Sequence, residues 1–580
     1  MYLAVNLRSS RQSRSANSFK SMNKTISIII AVLSLLPLSA FAQDKDWGRV
    51  SASLESTHHV YVADEANGFY PSNLMQLSED GIYATNNYLK VDYYKGRLSA
   101  GTQLEGYFPS TVGYPFPENK LSLSNLYVSW RDDSYSVTAG TFYEQLGSGL
   151  LFRSWEDRAL GLNNAMLGAR ATYNWGDNIT AKAFWGVPRL GKLSEYGMMM
   201  GLEKGFFGFG LSQGVNIAGA DLSVSLSNLL DWNALSLSLE GSVINKHEAL
   251  SDGLIAKGCL ANNVGWSARA NLEADGFYAK AEYVDAGMQL VNQLFDAENG
   301  NAQLVELGYN SRGLGVSFTG RRLQRMTQQI STADLMYASA SNVMSYCPAM
   351  TTQYTYMLTA LHPYNPETGT NKLRAGEIGG QLDAFYNFRR GTKIGGKRGM
   401  KVHANFSSYF ALNETGGVKG SERLITDFSF DVERQWTKKF KTTFLYSFQD
   451  YDKHEKNYAN TEVFIGKSHI VVADLLYKWN PKFSTRLELQ YLSSNDYQKD
   501  WMAALLEVSL APHWSVFASD MYNHGDSKLH YYNAGFSYVY GKIRVAAGYG
   551  RYRAGFICSG GVCREIPAYT GANVTFTASF

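Results

Sequence analysis

Apolar and polar positions alternate at the end of the chain: Val574, Phe576, Ala578 and Phe580 are interleaved with Thr575, Thr577 and Ser579. That period of two marks a strand with one face in oil and the other in water. The same alternation recurs upstream. Ile543, Val545, Ala547 and Tyr549 oppose Lys542 and Arg544; Leu487, Leu489 and Tyr491 oppose Arg486, Glu488 and Gln490. Phe428, Phe430 and Val432 oppose Asp427, Ser429, Asp431 and Glu433. Trp266, Ala268, Ala270 and Leu272 oppose Ser267, Arg269 and Asn271, and Ala279, Ala281 and Tyr283 oppose Lys280 and Glu282. Charges in mid-strand would be rejected by a dry core. They suit the wet interior of a barrel whose other face meets lipid.

Connection lengths give a second, independent sign. Short turn signals lie near Gly541, Pro512, Asn480-Pro481, Thr437-Lys438, Gly391 to Gly399, Ser311-Arg312, Ala274-Asp275, Asp231-Trp232, Gly176-Asp177, Asp132-Asp133 and Lys95-Gly96. Longer connections fall between them, among them 59–84, 144–163, 188–218 and 322–376. Outer-membrane barrels have short periplasmic turns and longer outer loops. Twelve loops and eleven turns predict an all-β fold: a transmembrane antiparallel barrel of about 24 strands, within 22–26 if 188–218 or 322–376 hides a hairpin. Even-numbered closure leaves both termini in the periplasm. Barrels of this size enclose a lumen wide enough for an aqueous channel or a plug. The first strand is expected to begin near Trp47, which leaves no room for a plug domain ahead of it. Any closure of the lumen would fall to loops 144–163, 188–218 and 322–376.

The N-terminal segment reads as a targeting signal. Arg8, Arg11, Arg14, Lys20 and Lys24 precede an apolar run from Ile26 to Leu36 that ends in Ala40-Phe41-Ala42. This is a signal-peptide pattern with cleavage before Gln43. Met22-Asn23-Lys24 reads as the true start. The remaining 43–580 form a single barrel. Taking the five basic residues of 1–42 from the formal +3 leaves −2, which gives no basis for binding nucleic acid. With 38 Tyr, 30 Phe, 54 Gly and 12 Pro, the composition suits aromatic girdles around a barrel. The alternating C-terminal residues ending in Phe580 resemble the signal read by the outer-membrane insertion machinery. The expected location is therefore the cell outer membrane, with its lipids as the surrounding partner.

Candidate chemistry concentrates in the loops and on the inner wall. Loop 144–163 mixes apolar residues with Arg153, Glu156, Asp157 and Arg158, a set expected to pair with wall charges and narrow the lumen. The expected wall carries both signs: Arg269, Lys280, Glu282, Asp383, Asp427, Asp431, Arg486, Glu488, Lys542 and Arg544. The stretches Met198-Met199-Met200 and Phe206-Phe207 make 188–218 a second apolar loop. Cys558 and Cys563 enclose four residues and are the favoured disulfide, with Cys259 and Cys347 left to clip two loops together. No metal set, cofactor motif or catalytic constellation is evident, so no enzyme activity is expected; His58-His59 and His524 read as ordinary strand-end or loop residues.

The run Phe152-Arg153-Ser154-Trp155-Glu156-Asp157-Arg158-Ala159-Leu160-Gly161-Leu162-Asn163-Asn164-Ala165, leading into Gly168-Ala169-Arg170, resembles an uncharacterised, placeholder-named family of Bacteroidota outer-membrane barrel proteins. The resemblance implies a barrel and its location, and it carries no activity. Two functions follow from the residues. The first is a porin-like channel for polar solutes, narrowed or gated by inward-folded loops. The second is a non-catalytic accessory subunit of an outer-membrane secretion, assembly or nutrient-uptake complex.

Overall fold

The computed structural model describes residues 47–73, 82–114, 120–190, 212, 214–290, 296–326, 328–332, 342–349, 351–361, 376–413, 418–453, 464–495, 498–560 and 562–580. The segment 1–42, and with it the expected signal peptide, lies outside the described residues, as do Met198-Met199-Met200 and Phe206-Phe207. The described chain forms a 24-stranded antiparallel sheet in which each strand pairs with its neighbours in sequence. The sheet closes on itself. The first strand, Arg49–Tyr61, pairs with the last, Tyr569–Ser579, from Ser53 opposite Ser579 to Tyr61 opposite Gly571. Phe580 continues the closure, its amide donating to Ala52 O at 2.8 Å. A closed cylinder leaves no unpaired strand edge, the condition for a sheet to stand in hydrocarbon.

The connections alternate between the two rims, eleven on one and twelve on the other, but the contrast in length is not uniform: 226–235 and 389–399 on the short-turn rim outrun 413–417 on the other. The first strand begins at Arg49, two residues beyond the expected Trp47. Strand lengths spread further than the expected 9–13 residues, from 8 in Tyr135–Phe142 to 18 in Val418–Gln435.

The two faces separate as the period of two requires. In Phe483–Ser494, Leu487, Leu489 and Tyr491 point outward and are exposed, while Glu488 and Gln490 are buried inward. Trp266 and Tyr283 face outward against inward Ser267, Arg269 and Glu282. The short-turn rim is ringed by exposed aromatics, among them Trp130, Trp175, Trp232, Trp436, Trp479 and Trp514. Indole rings favour the lipid–water boundary, so this ring fixes the height of the barrel in the bilayer. Among the register shifts at the long-loop rim, one requires a glycine. Between Asp285 and Gly287 the register with the next strand slips by one residue. Gly287 sits at φ 68°, and a Cβ there would come within 2.5 Å of Val264 O, so the bulge requires glycine.

Two expectations are corrected. Lys542 is not on the lumen wall; it lies with Gly541 in the exposed turn between Tyr540 and Ile543. Nor is the inner wall polar throughout. Leu445, Ile470, Val472, Leu492 and Trp501 form an inward apolar patch. The strand Phe464–Asn480 carries Ile470-Val471-Val472, apolar on both faces, because its inner face is covered by a loop.

If the alternating face meets lipid, Leu489→Arg should destabilise the barrel by roughly 2–4 kcal/mol. The lumen-facing Lys280→Gln should change stability little. Equilibrium unfolding of vesicle-embedded protein in guanidinium distinguishes the two.

Candidate functional site

Among the described residues several loop segments fold into the lumen, and two of them lie against opposite parts of its wall. The first leaves the wall at Phe142 and makes two small antiparallel pairings, Gln145–Leu146 with Phe152–Arg153 and Glu156–Asp157 with Leu162–Asn163. Leu146, Leu150, Leu151 and Phe152 are essentially inaccessible and pack on inward Phe184, Ile217, Ile244 and Val284. At one flank the Ser148 amide donates to Glu282 Oε2 at 3.1 Å. Beside it Arg269 donates to Glu240 Oε2 at 2.8 Å and to Asp221. Gly147, at φ 55°, presses against this pair, and a Cβ would lie 2.6 Å from Arg269 Cδ. At the other flank Arg158 donates to Glu55 Oε2 at 2.6 Å and to Gln103, and covers the Tyr88 ring at 4.3 Å. Surrounding carboxylates raise the Arg158 guanidinium above its ordinary pKa against the opposing effect of burial.

The four expected constriction residues therefore divide. Arg158 and Glu156 reach the wall, Glu156 by accepting from Gln103 Nε2 at 2.8 Å. Arg153 packs on a neighbouring loop segment and Asp157 holds its own turn. Arg153 lies over the Tyr346 ring at 4.0 Å, and Asp157 accepts from the Leu160 amide at 3.0 Å.

Residues 342–349 lock the segments together. The Arg153 amide donates to Met344 O, the Tyr346 amide to Gly149 O and the Cys347 amide to Gly560 O, each at 2.8 Å. Gly560 is the turn of a hairpin, Gly555–Ser559 with Val562–Ile566, so the last long connection joins the closure. The ion pair of Arg321 with Glu377, at 2.5 Å and with both side chains inaccessible, stands at the root of the 325–375 connection. Arg321 also donates to Pro348 O at 2.5 Å.

Residues 351–361 then run along the opposite half of the wall. Leu358 and Leu361 enter the inward apolar patch. The Leu358 amide donates to Gln490 Oε1 at 2.8 Å, and Gln449 Nε2 donates to Thr359 O at 3.2 Å. Tyr354 Oη donates to Asp431 Oδ2 at 2.9 Å.

Toward the short-turn end, this segment roofs a cavity of about 550 Å³. His403 bridges two of the expected wall carboxylates, with Nε2 2.7 Å from Asp383 and Nδ1 2.7 Å from Asp431. Arg486 joins Asp474 at 3.0 Å and Glu488 at 2.5 Å, and Lys441 joins Glu433 at 2.7 Å. The remaining expected wall residues are scattered. Lys280 lies 3.9 Å from Glu306, Asp427 is buried, and Arg544 is exposed near the short-turn rim. Val574 and Phe576 face outward, with Ala578 buried beside Leu54 in the closing pair.

Cys259 and Cys347 are free thiols in separate apolar clusters, so the expected clip between them is not made. Cys558 stands opposite Cys563 in the hairpin register, while their side chains lie outside the described residues. Among the described residues no group of three or more His, Cys, Asp or Glu is placed to hold a metal ion.

A cluster missed in the sequence sits on the outer face at the seam. Ser56 Oγ lies 2.8 Å from His58 Nε2 and donates to Asn87 Oδ1 at 2.5 Å, while His58 Nδ1 lies 2.6 Å from Tyr83 Oη. Asn87 passes the chain on to Gly106 O at 3.0 Å. Ser56 is inaccessible, and the network braces the first three strands across their outer surface. The spacing of Ser56 and His58 on one strand face was the available signal.

Comparison with known proteins gives the family of this chain. The chain belongs to a family of unknown function, DUF6029, whose model matches residues 22–580. No curated protein matches it in sequence. Among solved structures, the translocation pore of the P pilus usher PapC shares 10% identity at a TM-score of 0.43, over 91% of this chain and 99% of that one. The siderophore receptor PirA from Pseudomonas aeruginosa shares 8% at 0.41, over 92% and 80%. The copper transporter OprC shares 9% at 0.35, over 92% and 81%. These likenesses are weak and say nothing of what this family member does.

Two outcomes follow for the segments folded into the lumen. Arg321→Met leaves the buried Glu377 without its guanidinium and should cost about 3–5 kcal/mol locally; proteinase K should then cut residues 342–361 faster in intact vesicles. Burial pushes the Cys347 thiol up to about 12, far above the unperturbed value of about 8.5. Cys347 should therefore stay unmodified by maleimide at pH 8 in the folded barrel and react once denatured, as mass spectrometry of the tryptic peptide will report.

Proposed function

We propose that this protein is an outer-membrane channel for polar solutes, closed at rest by its own long loops. The observation that carries the reading is the split character of the lumen. On the long-loop side, residues 144–163, 342–349 and 351–361 pack against its wall; on the short-turn side, an open cavity lined by charged side chains remains behind them. A barrel with a purely structural role has no need of an open cavity lined by ionic residues. The closing segments are held by side-chain contacts and loop hydrogen bonds, not by strand pairing with the wall. Such contacts break at far lower cost than the barrel itself. Export by the N-terminal segment 1–42 and insertion guided by the terminal Phe580 belong to the same reading.

Both signs of charge line the chamber, so weak ion selectivity is expected. In planar bilayers the full chain should conduct rarely. Replacing 351–361 by a short Gly-Ser linker should give long open events, and removing 146–161 as well should enlarge them. A heat-modifiable band on electrophoresis checks that each variant has folded. Leu358→Asp, which loosens the segment without shortening it, should also raise the open fraction. A folded barrel that stays closed in all three variants sinks the channel reading.

A further inference from the structure

The chamber behind residues 351–361 has a composition that points to one class of solute. Its wall carboxylates Asp383, Asp431, Glu433 and Asp474 are each engaged by a cation or an imidazole of the same wall: His403, Lys441 and Arg486. With Lys401, which also lines the cavity, three cations and His403 stand against the four carboxylates, so little net field is left to draw in an ion of either sign. The pairing also leaves an array of oriented acceptors and donors, because a carboxylate offers about four lone-pair sites and these pairs use a part of them. Neutral hydroxyls can join such an array without displacing a partner charge, whereas an added ammonium or carboxylate must compete with an existing ion pair.

The roof is aromatic. Tyr354 and Tyr356 lie with ring centroids 6.2 Å apart and planes 18° from parallel. Both border the cavity and both are half-buried. Burial raises both phenols, Tyr356 to about 12, so they remain neutral and present ring faces rather than phenolates. The negative face of such a ring attracts polarised C–H bonds. A solute suited to both surfaces has hydroxyls around its edge and C–H groups on its faces. The cavity of about 550 Å³ falls within the roughly 300–1,000 Å³ of small-molecule pockets.

We propose that this chamber is a binding site for a neutral, polyhydroxylated ring solute, a short saccharide, held by stacking on Tyr356 and by hydrogen bonds to the paired charges around His403 and Arg486. The assignment deepens the channel reading by naming the solute class that would dwell behind the loops. Tyr354 is committed to Asp431 through its hydroxyl, so it positions the roof, while Tyr356 supplies the stacking face.

Saturation-transfer difference NMR on the full-length barrel in lauryldimethylamine oxide micelles, a detergent without sugar headgroups, tests the site. The probes are maltose, cellobiose, dialanine and putrescine. Saturation should reach the ring C–H protons of at least one disaccharide and should not reach dialanine or putrescine. Tyr356→Ala should weaken that disaccharide more than tenfold, and Tyr356→Phe should bind it within about twofold of the native chain. No transfer to either disaccharide overturns the proposal, as does equal transfer to dialanine or putrescine, or a Tyr356→Ala variant that binds unchanged. Binding is measured at equilibrium in the closed state and requires no conduction. A barrel that binds maltose or cellobiose and never conducts would sink the channel and keep the site; one that conducts and binds neither would do the reverse.

Discussion

Every backbone amide that faces hydrocarbon must find its partner within the protein, and a sheet achieves this only by closing. The pairing of Arg49–Tyr61 with Tyr569–Ser579 is thus the contact on which the rest of this fold depends. Once the cylinder is shut, alternation becomes compulsory: a one-residue slip would turn Glu488 and Gln490 into lipid and Leu489 into water. Closure also creates an interior with no obligation to be dry. The inner wall is free to carry Arg269, Glu282 and Arg486, and the loops are free to settle against them.

The two closing segments use different physics on their two halves of the wall. Residues 144–163 combine a dense apolar knot around Phe152 with ionic struts at both flanks. Residues 351–361 rely on Leu358 and Leu361, each contributing about 1.5–3 kcal/mol by burial. Their polar contacts set position more than strength, since exchanging wall–water for wall–loop hydrogen bonds returns about 1 kcal/mol apiece. Arg321 with Glu377 is another matter. A fully enclosed ion pair adds little net stability, yet neither partner tolerates loss of the other, so it fixes where the long connection leaves the wall.

The barrel was legible in the sequence because period-two alternation and the rhythm of short and long connections both leave local marks. Strand faces around Trp266, Phe430 and Leu489 could be read directly. The inward apolar patch was harder, because Leu445 or Ile470 on a lumen face looks like noise until the covering segment is known. Its trace was the unbroken Ile470-Val471-Val472, apolar on both sides of the sheet. Loop 144–163, with its mixture of Leu, Phe and charge, suited a constriction folded into the lumen and a brace on the wall equally well. The separate fates of Arg153 and Arg158 were not legible, since Tyr346 and Glu55 lie far off in sequence. The same holds for His403, whose partners Asp383 and Asp431 come from two adjoining strands. Lys542 was misplaced because a two-residue turn continues the alternation of its strand.

Strand length has its own consequence. Tyr135–Phe142 runs 8 residues, and Val418–Gln435 and Phe464–Asn480 run 18 and 17. At roughly 3.4 Å per residue and a tilt near 40°, the first rises about 20 Å and the others about 45 Å, against an apolar belt of about 25 Å. The tall strands stand almost diametrically across the cylinder from the low one. The chain turns inward at Phe142, where the wall is low beside a neighbour, Lys120–Arg131, that pairs with it only from Tyr127 onward. A cross-beam of some twenty residues suffices from there to brace the interior, where a level rim would have demanded a far longer descent.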